Sequence, residues 1–312
     1  MKKRPFIQII FFVFFFAISF LRMYATRHPV TDSRIIIVKM GIAGESISDD
    51  WRAALQTRMS KKDIDSMGDI KRKLTTEETE WKYLIVSKTA EWNSYRDSLA
   101  VPFHRIILPD TIYVMLGFLG DDDAFTFEKQ TVCLDLTALS RVYGKAGLEE
   151  NGSRINRIFA HEYTHLLHKE WARKAGYNPE TFLDEILWEC LYEGIGMYRS
   201  LNPSWLPIND TLPTATQSAL RTLYPVFTDR MIAIKKNSSL SDNEKQRLHA
   251  NLSRGTVDKK WGAFPVAIWL SLEAKGDETH LAKWIDKGPI AVIELAKKYL
   301  PADDKDKLSK VF

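Results

Sequence analysis

The feature that most constrains this chain is the sequence His161-Glu162-Tyr163-Thr164-His165, which lies within an apolar stretch. Two histidines four residues apart project from neighbouring turns of one helical face. A separate stripe at helical spacing is apolar and consists of Ile155, Phe159, Tyr163 and Leu166. The pattern predicts a largely buried helix that carries two imidazoles side by side.

Two imidazoles in this arrangement can bind one tetrahedral metal ion, and Glu162 points about 100° around the helix from His161. At that angle Glu162 lies outside the ligand stripe but is placed to hold a water on the metal. Zinc suits such a site because it accepts imidazole and carboxylate ligands and lowers the pKa of its bound water. The alternative is an accidental match on a surface helix, and the apolar sequence on both sides of the motif argues against it.

A catalytic zinc of this kind needs a third protein ligand and one open coordination position. His168 is the nearest candidate, but we interpret it as a residue of the surface or of the surroundings of the site. The next helix is the better source, because acidic side chains within an apolar helix require partners. Its glutamates recur every four residues, at Glu185, Glu189 and Glu193.

Short runs of β-branched and aromatic residues predict strands. The runs are residues 34–40, which are either a strand or a leader segment, and residues 106–108, 112–116 and 131–136. The last three directly precede the motif helix and predict a small sheet, antiparallel or mixed.

Most of the remaining chain has helical character, with capping signals that mark helix ends. The helical segments are the polar stretch 47–99 and the apolar runs 264–273 and 290–300. Capping boxes are present at Thr75 with Glu78 and at Ser241 with Glu244, and a further helix starts at Asn178-Pro179 and ends at Asn202-Pro203. Together with the strands they predict an α+β fold in which a small sheet packs beside a mainly helical body.

The N-terminus has the pattern of an export signal. Three basic residues at positions 2–4 precede an apolar, Phe-rich run that ends at Leu21. Because this run is slightly shorter than the roughly 20 residues that span a bilayer, a cleaved signal peptide and an uncleaved membrane anchor both stay open. We predict an exported protein, periplasmic or otherwise extracytoplasmic, or anchored by residues 1–25. A helical layer at 26–101 and the motif-bearing domain at 102–312 would follow.

Charge and cysteine content exclude several classes of protein. The net charge is +4, and the four basic residues within positions 1–25 account for all of it. Since the rest is near neutral, we expect no nucleic-acid binding. We expect membrane contact only through the N-terminal segment, if that segment is not cleaved. Cys133 and Cys190 lie in apolar stretches and are interpreted as buried thiols rather than as a disulfide scaffold.

Two motifs together resemble those of the gluzincin metallopeptidases of the peptidase MA clan. The first is His161-Glu162-Tyr163-Thr164-His165, and 28 residues after His165 it is followed by Glu193-Gly194-Ile195-Gly196-Met197-Tyr198. The second motif is similar to the group's Glu-Gly-x-Ala-x-Tyr segment, with Gly196 in place of Ala. The resemblance implies a zincin-like fold whose metal site lies between two successive helices. It also implies that the strand at 112–116 offers an edge to which an extended peptide can add as a further strand.

By this resemblance His161, His165 and Glu193 bind Zn²⁺, and Glu162 is the general base that activates a metal-bound water against a peptide or protein substrate. It also implies that Gly194 allows the two helices to approach closely. The sequence therefore predicts a zinc peptidase. The rival hypothesis is an exported or membrane-tethered binding or structural protein that keeps the zincin fold without catalysis.

Two departures from the gluzincin pattern leave alternatives open. Many gluzincins have an acidic residue four positions after the third ligand, where this chain has Met197. Glu189 is therefore a possible substitute for that residue, or itself the third ligand. The residue that stabilises the oxyanion is also unassigned, because residues 260–263 contain no Tyr or His. The remaining candidates are Tyr192, Tyr198 and Tyr224.

Overall fold

The computed structural model describes residues 34–68, 70–237 and 239–312 of the chain. The strands are β1 (Ile35–Met40), β2 (Ile42–Ala43), β3 (Ser46–Ile47), β4 (Thr111–Gly117), β5 (Ala124–Phe127) and β6 (Thr131–Asp135). The α-helices of the N-terminal half are α1 (Asp49–Leu55), α2 (Lys61–Gly68), α3 (Thr76–Ala100), α4 (Leu136–Tyr143) and α5 (Glu149–Ala175). Those that follow are α6 (Phe182–Ser200), α7 (Thr214–Lys236), α8 (Asp242–His249), α9 (Ala263–Ala274), α10 (Ala282–Lys287), α11 (Ala291–Tyr299) and α12 (Ala302–Ser309).

The main sheet is mixed and has the strand order β1-β4-β6-β5. β1 and β4 are parallel, β4 and β6 are parallel, and β5 is antiparallel to β6. The small mixed sheet and three of the four predicted strands are confirmed. The prediction of a strand at 106–108 is wrong, since these residues lie in the irregular connection that leads into β4.

β4 is an interior strand, hydrogen-bonded to β1 on one side and to β6 on the other. The prediction that residues 112–116 offer an edge for an extended peptide is therefore wrong. Among the described strands, β5 forms the edge of the sheet on the β6 side, and the sequence did not predict this strand. Its alternation in Ala124-Phe125-Thr126-Phe127 is only four residues long, which is near the lower limit for a strand signal.

Alternation along β4 and β6 gives the sheet two different faces. One face carries Ile112, Val114 and Leu116, which join the large core formed with the helices. The other face carries Met115 of β4 and Cys133 of β6, which pack in a smaller core beneath α1 and α2. Both faces of the two interior strands are thus buried, as their nearly continuous apolar sequence requires.

The predicted helical body is confirmed, and so are both capping boxes. Thr75 caps α3 with Glu78, and Ser241 caps α8 with Glu244. The predicted start of α6 at Asn178-Pro179 is wrong, because a third capping box, made by Thr181 and Asp184, starts the helix three residues later. Its predicted end just before Asn202 is confirmed.

Residues 35–312 form one compact unit. Cys133 and Cys190 are both buried thiols, as predicted. Among the described residues, none of the helices combines the length and apolarity needed to cross a bilayer. The predicted signal or anchor at residues 1–25 lies outside the described residues, and the boundaries predicted at 25/26 and 101/102 stay predictions.

Candidate metal centre

Helix α5 presents the motif, and its apolar stripe fixes which side faces the core. Phe159 stacks on Trp92 of α3 at 4.3 Å between ring centroids, and Tyr163 stacks on Phe159 at 5.7 Å. All three rings are fully buried. Because the packing of this stripe fixes the orientation of α5 about its own axis, the side chains at positions 161 and 165 point towards a cleft next to α6.

Three donor groups from α5 and α6 converge in that cleft. The Nε2 atoms of His161 and His165 lie 2.8 Å apart. Glu193 of α6 places Oε2 3.7 Å from Nε2 of His161 and Oε1 3.7 Å from Nε2 of His165. One ligand atom of each residue lies within 4.8 Å of the others. The structure therefore brings together the three residues predicted from the sequence.

The glycines of α6 set how closely its neighbours approach. A Cβ on Gly196 would lie 3.0 Å from Cε1 of His161 and 3.0 Å from Cε1 of His165, so the missing side chain leaves room for both rings. A Cβ on Gly194 would lie 2.5 Å from Val266 of α9. Gly194 thus permits contact with α9, and the expectation that it serves the approach of α5 and α6 is wrong.

Glu189, the other candidate for third ligand, lies one turn earlier on α6. Its carboxylate bonds to Nε2 of His249 and accepts a hydrogen bond of 2.9 Å from the Ser253 hydroxyl. It therefore pairs with the α8 side of the cleft and not with the imidazoles. Glu185 also lines the cleft but is absent from the three-residue cluster.

Groups behind the imidazoles hold the two helices together. Nδ1 of His161 lies 3.1 Å from Oγ of Ser200 at the end of α6, and His165 stacks on Tyr192 at 3.9 Å. Within the motif, Thr164 accepts a hydrogen bond of 2.7 Å from the buried guanidinium of Arg199. These contacts fix ring orientation and helix register, which a metal site requires of its surroundings.

Burial and mutual charge set the protonation of the site in the metal-free protein. Burial raises the pKa of Glu162 to about 7, with the charge of His161 opposing the shift. Burial would also raise the pKa of Glu193, but the neighbouring imidazoles of His165 and His161 outweigh it and hold that pKa at about 2. Burial keeps the pKa of His165 well below its usual value, so this ring favours the neutral, metal-binding form.

The donor set fits zinc. Two imidazoles and one carboxylate form a recurrent ligand set of catalytic zinc, with metal–ligand bonds of about 2.0–2.2 Å. Separations of 2.8–3.7 Å between donor atoms are of the size expected for groups that share one such ion. Glu162 lies beside the cluster, with Oε1 4.0 Å from Nε2 of His161, and is 7% exposed.

The cluster opens into a cavity of about 1160 Å³. All four residues of β5 line it, so the described edge strand runs along the cleft. Of the three tyrosines considered for oxyanion stabilisation, Tyr192 alone is in the lining. Tyr224 instead accepts a hydrogen bond from Trp269, and neither it nor Tyr198 belongs to the cavity wall. Sequence reasoning also passed over Lys260, whose side chain lines this cavity.

The fold and the convergent histidine and glutamate side chains define an α+β protein with a candidate zinc centre in a deep cleft. A family model described as "Putative zinc dependent peptidase (DUF5700)" matches residues 104–299. The chain belongs to that family, which supports a zinc peptidase and zinc as the metal. No curated protein and no solved structure matches the chain.

Of the two places predicted for His168, the surface is wrong and the structure puts the residue in the surroundings of the site. Its ring is fully buried next to Phe103, Trp188 and Tyr192. Neither ring nitrogen has a hydrogen-bond partner within the described part of the chain. Burial, assisted by the charge of Arg199, lowers the pKa of His168 to about 3. The residue is therefore a neutral member of an aromatic cluster behind the site.

We expect His168→Leu to reduce the acid sensitivity of the fold. The pKa of His168 is depressed in the folded state, so the unfolded chain takes up a proton between pH 6.5 and 3 and the folded chain does not. Stability from this group is present above pH 6.5 and is lost as the pH falls, by about 2 kcal/mol at pH 5. Denaturant unfolding of metal-free protein at pH 7 and pH 5 measures the difference. Equal pH dependence in wild type and variant contradicts the prediction, and exposed His104→Leu is the control.

Proposed function

We propose that this chain is a gluzincin-type zinc peptidase of the MA clan. In this proposal His161, His165 and Glu193 bind the zinc ion, and Glu162 is the general base. The observation that carries it is the convergence of three suitable donors from two successive helices, with a buried glutamate beside them. Membership in a family described as zinc-dependent peptidases supports the same function.

Zinc bound by these donors supplies Lewis acidity, which polarises a substrate carbonyl and lowers the pKa of a coordinated water. Glu162 takes the proton from the attacking water and passes it to the nitrogen of the leaving amine. Because burial raises its pKa to about 7, Glu162 is suited to accept and release a proton near neutral pH.

An extended substrate can be held by β5. Among the described residues this strand pairs with β6 alone, and its four residues line the cavity that contains the metal cluster. A peptide that adds to its free edge gains main-chain hydrogen bonds irrespective of sequence. We therefore assign to β5 the binding of an extended peptide that the sequence predicted for β4.

The test is hydrolysis of an unstructured protein by the purified chain. We expect cleavage that stops when a chelator removes the metal and returns when zinc is added, because a His-His-Glu site loses its function with its ion. Zinc content alone does not separate a peptidase from a binding protein of the same fold, whereas turnover does. Zinc-loaded, folded protein that cleaves none of a broad panel of unfolded substrates contradicts the proposal.

A further inference from the structure

A second, smaller cavity of about 290 Å³ adjoins the metal cluster and shares His161 and Glu193 with the main cleft. Its volume lies just below the range of about 300–1,000 Å³ that is typical of sites for drug-sized ligands. It therefore suits one residue of a substrate rather than a folded segment. Its position beside the cluster places that residue next to the bond to be cleaved.

The wall of this side cavity has an apolar part and a basic part. The apolar part consists of Met197, Leu201, Trp205, Val257 and Ala263. The basic part consists of Arg154, Arg157 and Lys260. Apart from Glu193 of the metal cluster, Glu150 is the one carboxylate among the described residues that line this cavity. Three cations facing one such carboxylate leave an excess of positive charge.

The pairing of these cations shows where that excess lies. Nη2 of Arg154 forms an ion pair with Oε1 of Glu150 at 2.7 Å, whereas Nη2 of Arg157 lies 3.6 Å from the same oxygen. The guanidinium of Arg157 donates to Ser153, but its buried Nε has no hydrogen-bond partner in the described residues. Lys260 forms no ion pair with a carboxylate within the same part of the chain. The half-buried guanidinium of Arg157 is therefore only partly paired and can bind a further acceptor that enters the cavity.

Arg157 and Lys260 both line the boundary between the two cavities. Arg157 lies one helical turn before His161 on α5, and its side chain is 16% exposed. Lys260 precedes α9 and is close enough to the cluster that its charge opposes the rise in the pKa of His161 and contributes to lowering the pKa of Glu193. The two cations thus approach the cluster from different elements, on the side of the smaller cavity.

We propose that this side cavity is a substrate-binding subsite that recognises a carboxylate next to the scissile bond through Arg157 and Lys260. A guanidinium binds a carboxylate through two parallel hydrogen bonds, and the neighbouring ammonium adds charge at the same point. The apolar wall takes the methylene groups or side chain of the same substrate residue. The carboxylate belongs either to an Asp or Glu side chain or to the C-terminus of the substrate. The inference rests on the proposed peptidase function and adds a substrate class to it.

The test compares kcat/KM for matched peptides. One arm uses C-terminally amidated peptides with Glu, Gln or Lys at each position that flanks the cleaved bond, and the other compares a free C-terminus with an amidated one. We expect the carboxylate peptide of one arm to be preferred by roughly tenfold or more, the range of a charge-assisted hydrogen bond. Preference in the first arm identifies an acidic side chain, and preference in the second identifies the C-terminus.

Variants assign the preference to the two cations. In Arg157→Gln and in Lys260→Gln we expect the ratio of kcat/KM for carboxylate and neutral peptides to fall towards one, while Arg157→Lys retains part of it. Lys260→Glu is expected to favour the Lys peptide, a gain that misfolding cannot produce. Arg221→Gln is the matched control, since Arg221 is exposed and lines neither cavity.

Binding of the same peptides to zinc-loaded Glu162→Gln, measured by fluorescence anisotropy, gives a readout that needs no turnover. Equal kcat/KM and equal binding for carboxylate and neutral peptides in the wild type overturn the subsite and leave the peptidase function intact. Absence of any cleavage together with tighter binding of carboxylate peptides supports the subsite and removes the peptidase function.

Discussion

Glu162→Gln is expected to abolish peptide hydrolysis while zinc stays bound. Glutamine has nearly the same shape as glutamate, but its amide cannot take a proton from the attacking water. The loss in kcat should reach about a hundred- to ten-thousand-fold, which is the contribution of a positioned general base. Because Glu162 lies outside the three-residue cluster, the zinc content of the variant should equal that of the wild type.

The measurement is kcat on a quenched fluorescent peptide, with zinc content determined on the same samples. The fold should survive the substitution. Burial raises the pKa of Glu162 to about 7, so its charged form destabilises the metal-free fold as the pH rises from about 4.5 through 7, and the amide avoids that cost. Full activity in a zinc-loaded Glu162→Gln sample removes Glu162 as the base. Loss of zinc shows instead that Glu162 helps to hold the metal.

The parts predicted well from the sequence are those that local patterns determine. The stripe at Ile155, Phe159 and Tyr163 has a helical period over several turns, and the structure buries all three residues. The capping boxes at Thr75 and Ser241 are complete within four residues, so no distant contact is needed to form them. The start of α6 was predicted wrongly although it also depends on local sequence, because Asn178 and Thr181, three residues apart, are both suitable N-cap residues.

The parts predicted poorly depend on distant contacts. β4 is interior because β1 pairs with it in parallel, and the helices α1–α3 separate these two strands in the sequence. His168 is buried because residues of α6 and Phe103 cover it, a fact that its own charged neighbours Lys169 and Glu170 conceal. Burial of this kind is a property of the assembled layers, and single-sequence periodicity carries little information about it.

The choice between Glu189 and Glu193 shows where sequence reasoning about the site runs out. The two carboxylates lie one turn apart on the same face of α6, so helical spacing alone serves both equally. The axial position of α6 decides between them. Gly194 seats the helix on Val266 of α9, and Gly196 leaves room for the imidazoles, which together bring Glu193 level with the histidines.

Glu193→Ala is therefore expected to remove most of the bound zinc, and Glu189→Ala to retain it. Replacing groups that only support a zinc ligand already weakens binding by about 10–100-fold, so loss of the carboxylate next to both imidazoles should exceed about a hundredfold. The Glu193→Ala site would also keep the charge of nearby Lys260 without the anion that opposes it. Two neutral rings beside a cation bind a dication poorly.

Glu189→Ala is the matched control, because it removes the same side chain from the same helix. Its expected cost is limited to the bonds with His249 and Ser253, which lie outside the cluster. Zinc content after dialysis against a weak chelator, together with competitive titration, compares both variants with the wild type. Equal zinc affinity in Glu193→Ala and wild type, or a larger loss of zinc affinity in Glu189→Ala, would contradict the assignment of Glu193 and favour Glu189, one turn earlier on α6, as the third ligand. In that case the cleft geometry derived from Glu193 would no longer describe the zinc-loaded protein.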